Sequence, residues 1–145
     1  QLKEIAAGDE KSGGRPLAAQ PDFARHVAAI EMELRSLEAF NMRAIDKFSQ
    51  HGELGGKALG AEANIFKIRN SEILQRLYEL KVEAIGYYAM PYQLAALKDG
   101  WNEPAIGAEY ANACTPSYLH FRKVTIYSGS NEIQHNILAK AQLGM

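Results

Sequence analysis

The chain has one cysteine, Cys114, one tryptophan, Trp101, and five prolines in 145 residues. A single thiol excludes an intrachain disulfide, so a reducing, cytoplasmic setting is expected. Neither sign of charge is in excess: the net charge is −1 and the pI about 6.5. Without a basic field, neither nucleic acid nor an anionic membrane is drawn in electrostatically. Hydrophobic residues make up 47% of the sequence, yet no apolar run reaches the roughly 20 residues that span a bilayer. No stretch alternates long enough for a sheet, no segment repeats, and no leader pattern opens the chain. What remains is one domain, residues 1–145, with enough residues for a real core.

Helical periodicity fills that domain. Gln1 to Ala7 reads as a helix end, with Leu2 and Ile5 on one side and Gly8 as its stop. The chain therefore starts midway through helical sequence, as expected of a C-terminal fragment of a longer protein. Gly8 to Gln20 reads as a loop, and Pro21-Asp22 opens a helix. Phe23, Val27, Ile30, Leu34 and Leu37 form a seam, continued less regularly by Asn41, Ile45 and Phe48. Gly52, Gly55 and Gly56 break it, and a second long helix is expected from about Lys57 to Tyr88 or Met90, before Pro91. Its apolar face is Phe66, Ile73, Leu77, Leu80, Ala84 and Tyr88. Lys67, Glu72, Arg76, Glu79 and Glu83 are expected on a solvated face, with Glu72 and Arg76 as an i,i+4 pair. Leu94–Leu97 adds a turn, and a short helix restarts with Thr115 as cap and Pro116 in its first turn. The default architecture is all-α, an antiparallel up-and-down bundle.

The last twenty residues organise the rest. Gly129 permits a backbone conformation closed to other residues, and Ser130 or Asn131 caps the helix that follows. Ile133, Ile137, Leu138 and Ala141 are spaced as a buried stripe of that helix. The order Ile126-Tyr-Ser-Gly-Ser-Asn-Glu-Ile-Gln134, followed by Asn136-Ile-Leu-Ala139, resembles the C-terminal signature of the acyl-CoA dehydrogenases. In that family the run ends a helical C-terminal domain and reaches the active-site FAD. The resemblance is specific over Phe121–Met145 and looser before it.

The resemblance implies a FAD-dependent enzyme that desaturates an acyl-CoA at its α,β-bond, assembled as a homo- or hetero-oligomer, dimer or tetramer. Ser130 and Glu132, with Gly129 between Ser128 and the cap, take the positions that approach the flavin nucleotide. Many members carry the base, a glutamate, just before the glycine; this chain has Ser128 there, and a hydroxyl is no strong base. No catalytic residue is therefore assigned within the chain. Other members place the base on the first bundle helix. Members of steroid and dicarboxylate degradation pair unlike subunits of which one carries the base, and the large subunit of the pimeloyl-CoA dehydrogenase type is nearest in pattern. Two further family contacts do not carry over. An Arg-x-x-Phe-Gly loop is replaced by Glu10–Pro16, where Arg15 matches in charge but not in register. A Gln-x-x-Gly-Gly-x-Gly turn is replaced by Ile85–Pro91. The alternative is a non-catalytic helical assembly subunit lacking the usual base, and a free-standing interaction module ranks below both.

The remaining candidates have plainer readings. Glu132-x-x-His135 is the one Glu-x-x-His pair where a di-iron bundle needs two, so no metal is assigned. His26, His51 and His120 lack ligand spacing. Cys114 reads as packing, and Trp101 as a loop aromatic plugging its own bundle. Tyr87, Tyr88 and Tyr92 cluster at a helix end and are also expected to pack.

Overall fold

The computed structural model describes residues 1–8, 10–11, 15–51 and 60–144. Five α-helices run through them: α1 (Leu2–Gly8), α2 (Pro21–His51), α3 (Gly60–Ile85), α4 (Cys114–Phe121) and α5 (Asn131–Leu143). The all-α class holds, with one small addition. Two-residue strands β1 (Glu10–Lys11) and β2 (Arg15–Pro16) pair antiparallel within the segment expected to be a loop. Gly52, Gly55, Gly56 and the helix start expected at Lys57 lie outside the described residues, as do the side chains of Arg15 and His51.

The chain divides into two compact units, and both long helices pass from one to the other. The first comprises Gln1–Ala29 and Gln75–Arg122. Leu2, Ile5 and Ala6 bury one face of α1, and α1 lies against the 3-10 turn Leu17–Ala19. Pro21 is the first residue of α2, where its missing N–H costs nothing. Phe23, Leu80, Ala84, Ile85, Ala89, Ala111 and Cys114 are also buried. Tyr78 stacks on Phe121 with ring centroids 4.8 Å apart, and Arg122 pairs with Glu79 at 2.6 Å. The Thr115 hydroxyl donates to the Ala89 carbonyl, so α3 and α4 run antiparallel. Thr115 is thus inside α4 and not its cap; Ala113 holds that place without a side-chain bond. Glu79, expected only to face solvent, is the ion-pair partner of Arg122. The α-helical part of α3 stops at Ile85, and a 3-10 turn continues it from Gly86 to Ala89.

The expected packing of the tyrosines holds only in part. Tyr87 is 91% exposed, and Tyr88 and Tyr92 are more than half exposed. Tyr88 nonetheless lies over Gly107, where a β-carbon would fall 2.5 Å from its ring. Trp101 is half-buried.

The second unit comprises Ile30–Leu74 and Lys123–Met145. Here α2 and α3 are antiparallel neighbours, tied by Arg69–Glu33 at 3.1 Å and Lys47–Glu62 at 2.7 Å. Glu72 has its carboxylate on Arg69 at 3.0 Å. Ile30, Leu37, Ile68, Ser71, Ile73, Val124, Asn131 and Gln134 are buried. The α2 seam is realised as a seven-residue repeat, Phe23, Ile30 and Leu37; Leu34, Ile45 and Phe48 remain exposed. Among the described residues no helix is long and apolar enough to cross a membrane.

Candidate functional site at the C-terminal turn

The site lies within the second unit. A 3-10 turn, Arg122–Thr125, leads into it and buries Val124. Ile126 and Tyr127 N–H groups both donate back to the Lys123 carbonyl, at 2.9 and 3.3 Å. The chain then reverses through two successive left-handed residues, Ser128 (φ 57°) and Gly129 (φ 84°). A side chain at such a φ costs about 1–2 kcal/mol, so Ser128 is strained where Gly129 is not. Ser130 returns to extended backbone and caps α5, its Oγ accepting from the Ile133 N–H at 3.4 Å. The cap expected at Ser130 is therefore present.

Beneath the turn the structure departs from the sequence reading. The buried residues of α5 are Asn131 and Gln134, both polar, while Ile133 is 53% and Ile137 44% exposed, and Ala141 is exposed as well. Only Leu138 of the expected apolar stripe is partly covered. The reason is a set of buried partners. Asn131 Oδ1 accepts from Lys67 Nζ at 2.6 Å, and Asn131 Nδ2 donates to Ser71 Oγ at 3.0 Å. Ser71 in turn donates to the Ile68 carbonyl at 2.8 Å. Lys67 Nζ also donates to the Thr125 carbonyl at 3.2 Å. A buried amide is stable only when so paired, and here it is. Lys67 is thus no member of a solvated face. Gln134 Nε2 reaches the Ser128 carbonyl at 3.5 Å from the same side.

Above the turn Glu132 is open, while the Ser130 hydroxyl is half-buried and held by the Ile133 N–H. Glu132 lies exposed in the first turn of α5. Its carboxyl is held below its usual value by its own backbone N–H and by the Ser130 hydroxyl, with smaller help from Lys67 and His135. A hydroxyl and a persistently charged carboxylate side by side offer acceptors to a ligand edge bearing O–H or N–H groups. They do not suit a phosphate, since the carboxylate would repel it. Ser128, also exposed, adds a further hydroxyl. Ser128, Gly129, Ser130 and Glu132 are therefore brought together in one turn, as the sequence order requires. Asn131, Gln134, Lys67 and Ser71 were missed. Their one signal was polar type at helical positions, which periodicity counts as solvent-facing.

The other candidates stay apart. Among the described residues no three His, Cys, Asp or Glu side chains gather as a metal site. His26 and His120 are exposed, and His120 meets Phe121 edge-on at 5.3 Å. Cys114 is buried, and burial raises its thiol above the ordinary range against a weaker pull from Lys81.

An all-α chain ending in this capped, left-handed turn has clear relatives. Residues 5–143 match the family model for the acyl-CoA dehydrogenase C-terminal domain, and the chain belongs to that family. Among solved structures, a chain of the ChsE4–ChsE5 complex from Mycobacterium tuberculosis is similar, with a TM-score of 0.73 and 23% identity. The similarity covers 99% of this chain and 33% of that one. At that identity it shows the fold alone, and this chain spans about a third of the neighbour's length. No curated protein matches.

Proposed function

We propose that the chain is the C-terminal bundle of a FAD-dependent acyl-CoA dehydrogenase, and that Gly129, Ser130 and Glu132 form its contribution to the flavin site. One observation carries this reading: the signature turn is tied from beneath by Lys67 and Gln134, while the half-buried Ser130 hydroxyl backs an exposed Glu132 carboxylate. That pair fits the hydroxylated or N–H-bearing edges of FAD and not its pyrophosphate. When bound, FAD supplies the acceptor for the hydride leaving the acyl-CoA. This chain's own part is to orient: Ser130 fixes the helix start, and Glu132 accepts from the cofactor edge. Gly129 lets the backbone pass close beneath.

The α-proton needs a base from elsewhere. Ser128 occupies the place where many members keep a glutamate, and a serine hydroxyl is by itself no strong base. Ser128 favours a second reading, in which this chain is the base-less member of a pair of unlike subunits. The two proteins of the ChsE4–ChsE5 complex support pairing as a possibility for this fold.

The test uses the full-length protein. Bound flavin is quantified, and acyl-CoA is added anaerobically to see whether the flavin is bleached. The reading expects flavin to be present and Glu132→Gln to weaken its affinity by roughly tenfold, as for a hydrogen bond to a charged group. Ser128→Ala is expected to leave turnover unchanged. Full-length protein without affinity for FAD would overturn the proposal. A hundredfold fall in kcat for Ser128→Ala, about the lower range for a general base, would overturn the assignment at that residue.

A further inference from the structure

Two segments flank the signature turn, and the Lys67 side chain touches both, one through a backbone carbonyl and one through a side-chain amide. Lys67 of α3 donates to the Thr125 carbonyl on the entry side at 3.2 Å and to Asn131 Oδ1 on the exit side at 2.6 Å. Between those contacts lie the strained Ser128 and the left-handed Gly129. Strained backbone persists only where its surroundings over-determine it. The Ser130 cap acts within α5, and the Gln134 contact to the Ser128 carbonyl is long at 3.5 Å. The Lys67 ammonium joins the two ends. Charge strengthens both of its hydrogen bonds relative to neutral ones. Ser71 Oγ lies 3.0 Å from Asn131 Nδ2 and 3.2 Å from Oδ1, and turning the carboxamide over would set its N–H2 against the Lys67 ammonium.

We propose that Lys67 is a positioning residue: it clamps residues 125 and 131 so that the turn between them presents Ser130 and Glu132 in one fixed arrangement. Its bearing on FAD rests on the function proposed above; its bearing on the turn does not. The closing experiment separates the two.

Hydrogen exchange is followed in the full-length protein without flavin, for the wild type, Lys67→Met and Lys67→Arg. The Met variant keeps the aliphatic stem and removes both donors. Amides 126–132 should exchange about tenfold faster in it, with α4 unchanged. Lys67→Arg retains charge and donors and should recover most of the protection. In parallel, Lys67→Met should raise the Kd for FAD about tenfold, while KM for acyl-CoA at saturating FAD stays within about twofold. A general loss of packing would move exchange in α4 and both constants together. Unchanged exchange at 126–132 in Lys67→Met would overturn the proposal, as would equal losses in the Met and Arg variants. Wild-type protein with no FAD affinity would remove the flavin reading, and the exchange data would still decide the clamp. If Lys67→Met fails to fold, Ser71→Ala takes its place, with exchange at 128–132 expected to rise about threefold and no rise counting against the clamp.

Discussion

Gln134 Nε2 lies where Gly129 would carry its side chain: a β-carbon there would fall 2.3 Å from it. The same amide reaches the Ser128 carbonyl. Glycine is favoured at 129 by its left-handed φ of 84°, and the flexible amide beneath it would only have to shift for a side chain.

The first prediction contrasts two neighbours. Gly129→Ala should lower stability by about 1–2 kcal/mol, chiefly from the left-handed backbone, since Gln134 is flexible enough to yield. Ser128→Gly should fall within about 0.5 kcal/mol of the wild type, because relief of strain offsets the entropy glycine loses on folding. Urea unfolding of the two variants side by side measures both. Equal losses would mean that the turn does not keep this conformation in solution.

A second prediction concerns pH. The Glu132 carboxyl is depressed below its ordinary value of 4.5, so its contribution to stability is present above that value. It is lost as pH falls through the lower folded-state value. Its own N–H and the Ser130 hydroxyl are the leading causes, so Ser130→Ala should move the Glu132 titration back toward 4.5 without restoring it fully. NMR titration of the carboxyl carbon reads this directly. An identical titration in wild type and variant would show that the hydroxyl does not bond the carboxylate.

Features encoded by residues close in sequence were legible before the structure. Pro21 opens α2, Ser130 caps α5, and Gly129 takes a positive φ, because each depends on its own few neighbours. The signature order pointed to the family for the same reason. The underside of α5 was not legible. Asn131 is buried because Ser71 and Lys67, 60 and 64 residues away, complete its hydrogen bonds. Periodicity treats an asparagine as solvent-facing and an isoleucine as buried, so it placed Ile133 and Ile137 inside and gave no reason to bury Asn131 or Gln134. Polar burial is a property of a pair, and the pair forms only in the fold.

Cys114 gives a third prediction. Its burial, and the raised thiol that follows, keep the thiolate scarce at neutral pH. A thiol reagent should label the native chain at least about a hundredfold more slowly than the chain in denaturant. Rapid labelling of the folded protein would contradict this packing.

The last prediction follows from the far end of α2. Leu34, Met42, Ile45 and Phe48 are all more than 40% exposed. Ile45 and Phe48 line a mainly apolar groove of about 400 Å³ with Phe40, Ala44, Ala63 and Phe66, and Glu62 is also in its wall. Burying one such side chain is worth about 1.5–3 kcal/mol, so two copies gain by covering this face on each other. The 145-residue chain is therefore expected to self-associate at micromolar concentration. Replacing Ile45 and Phe48 together by serine should shift sedimentation toward monomer. Because both side chains are already largely in water, unfolding stability should change by less than about 1 kcal/mol. A wild-type chain that stays monomeric at high concentration would show that this face is tolerated in water, and the apolar exposure would then need another account.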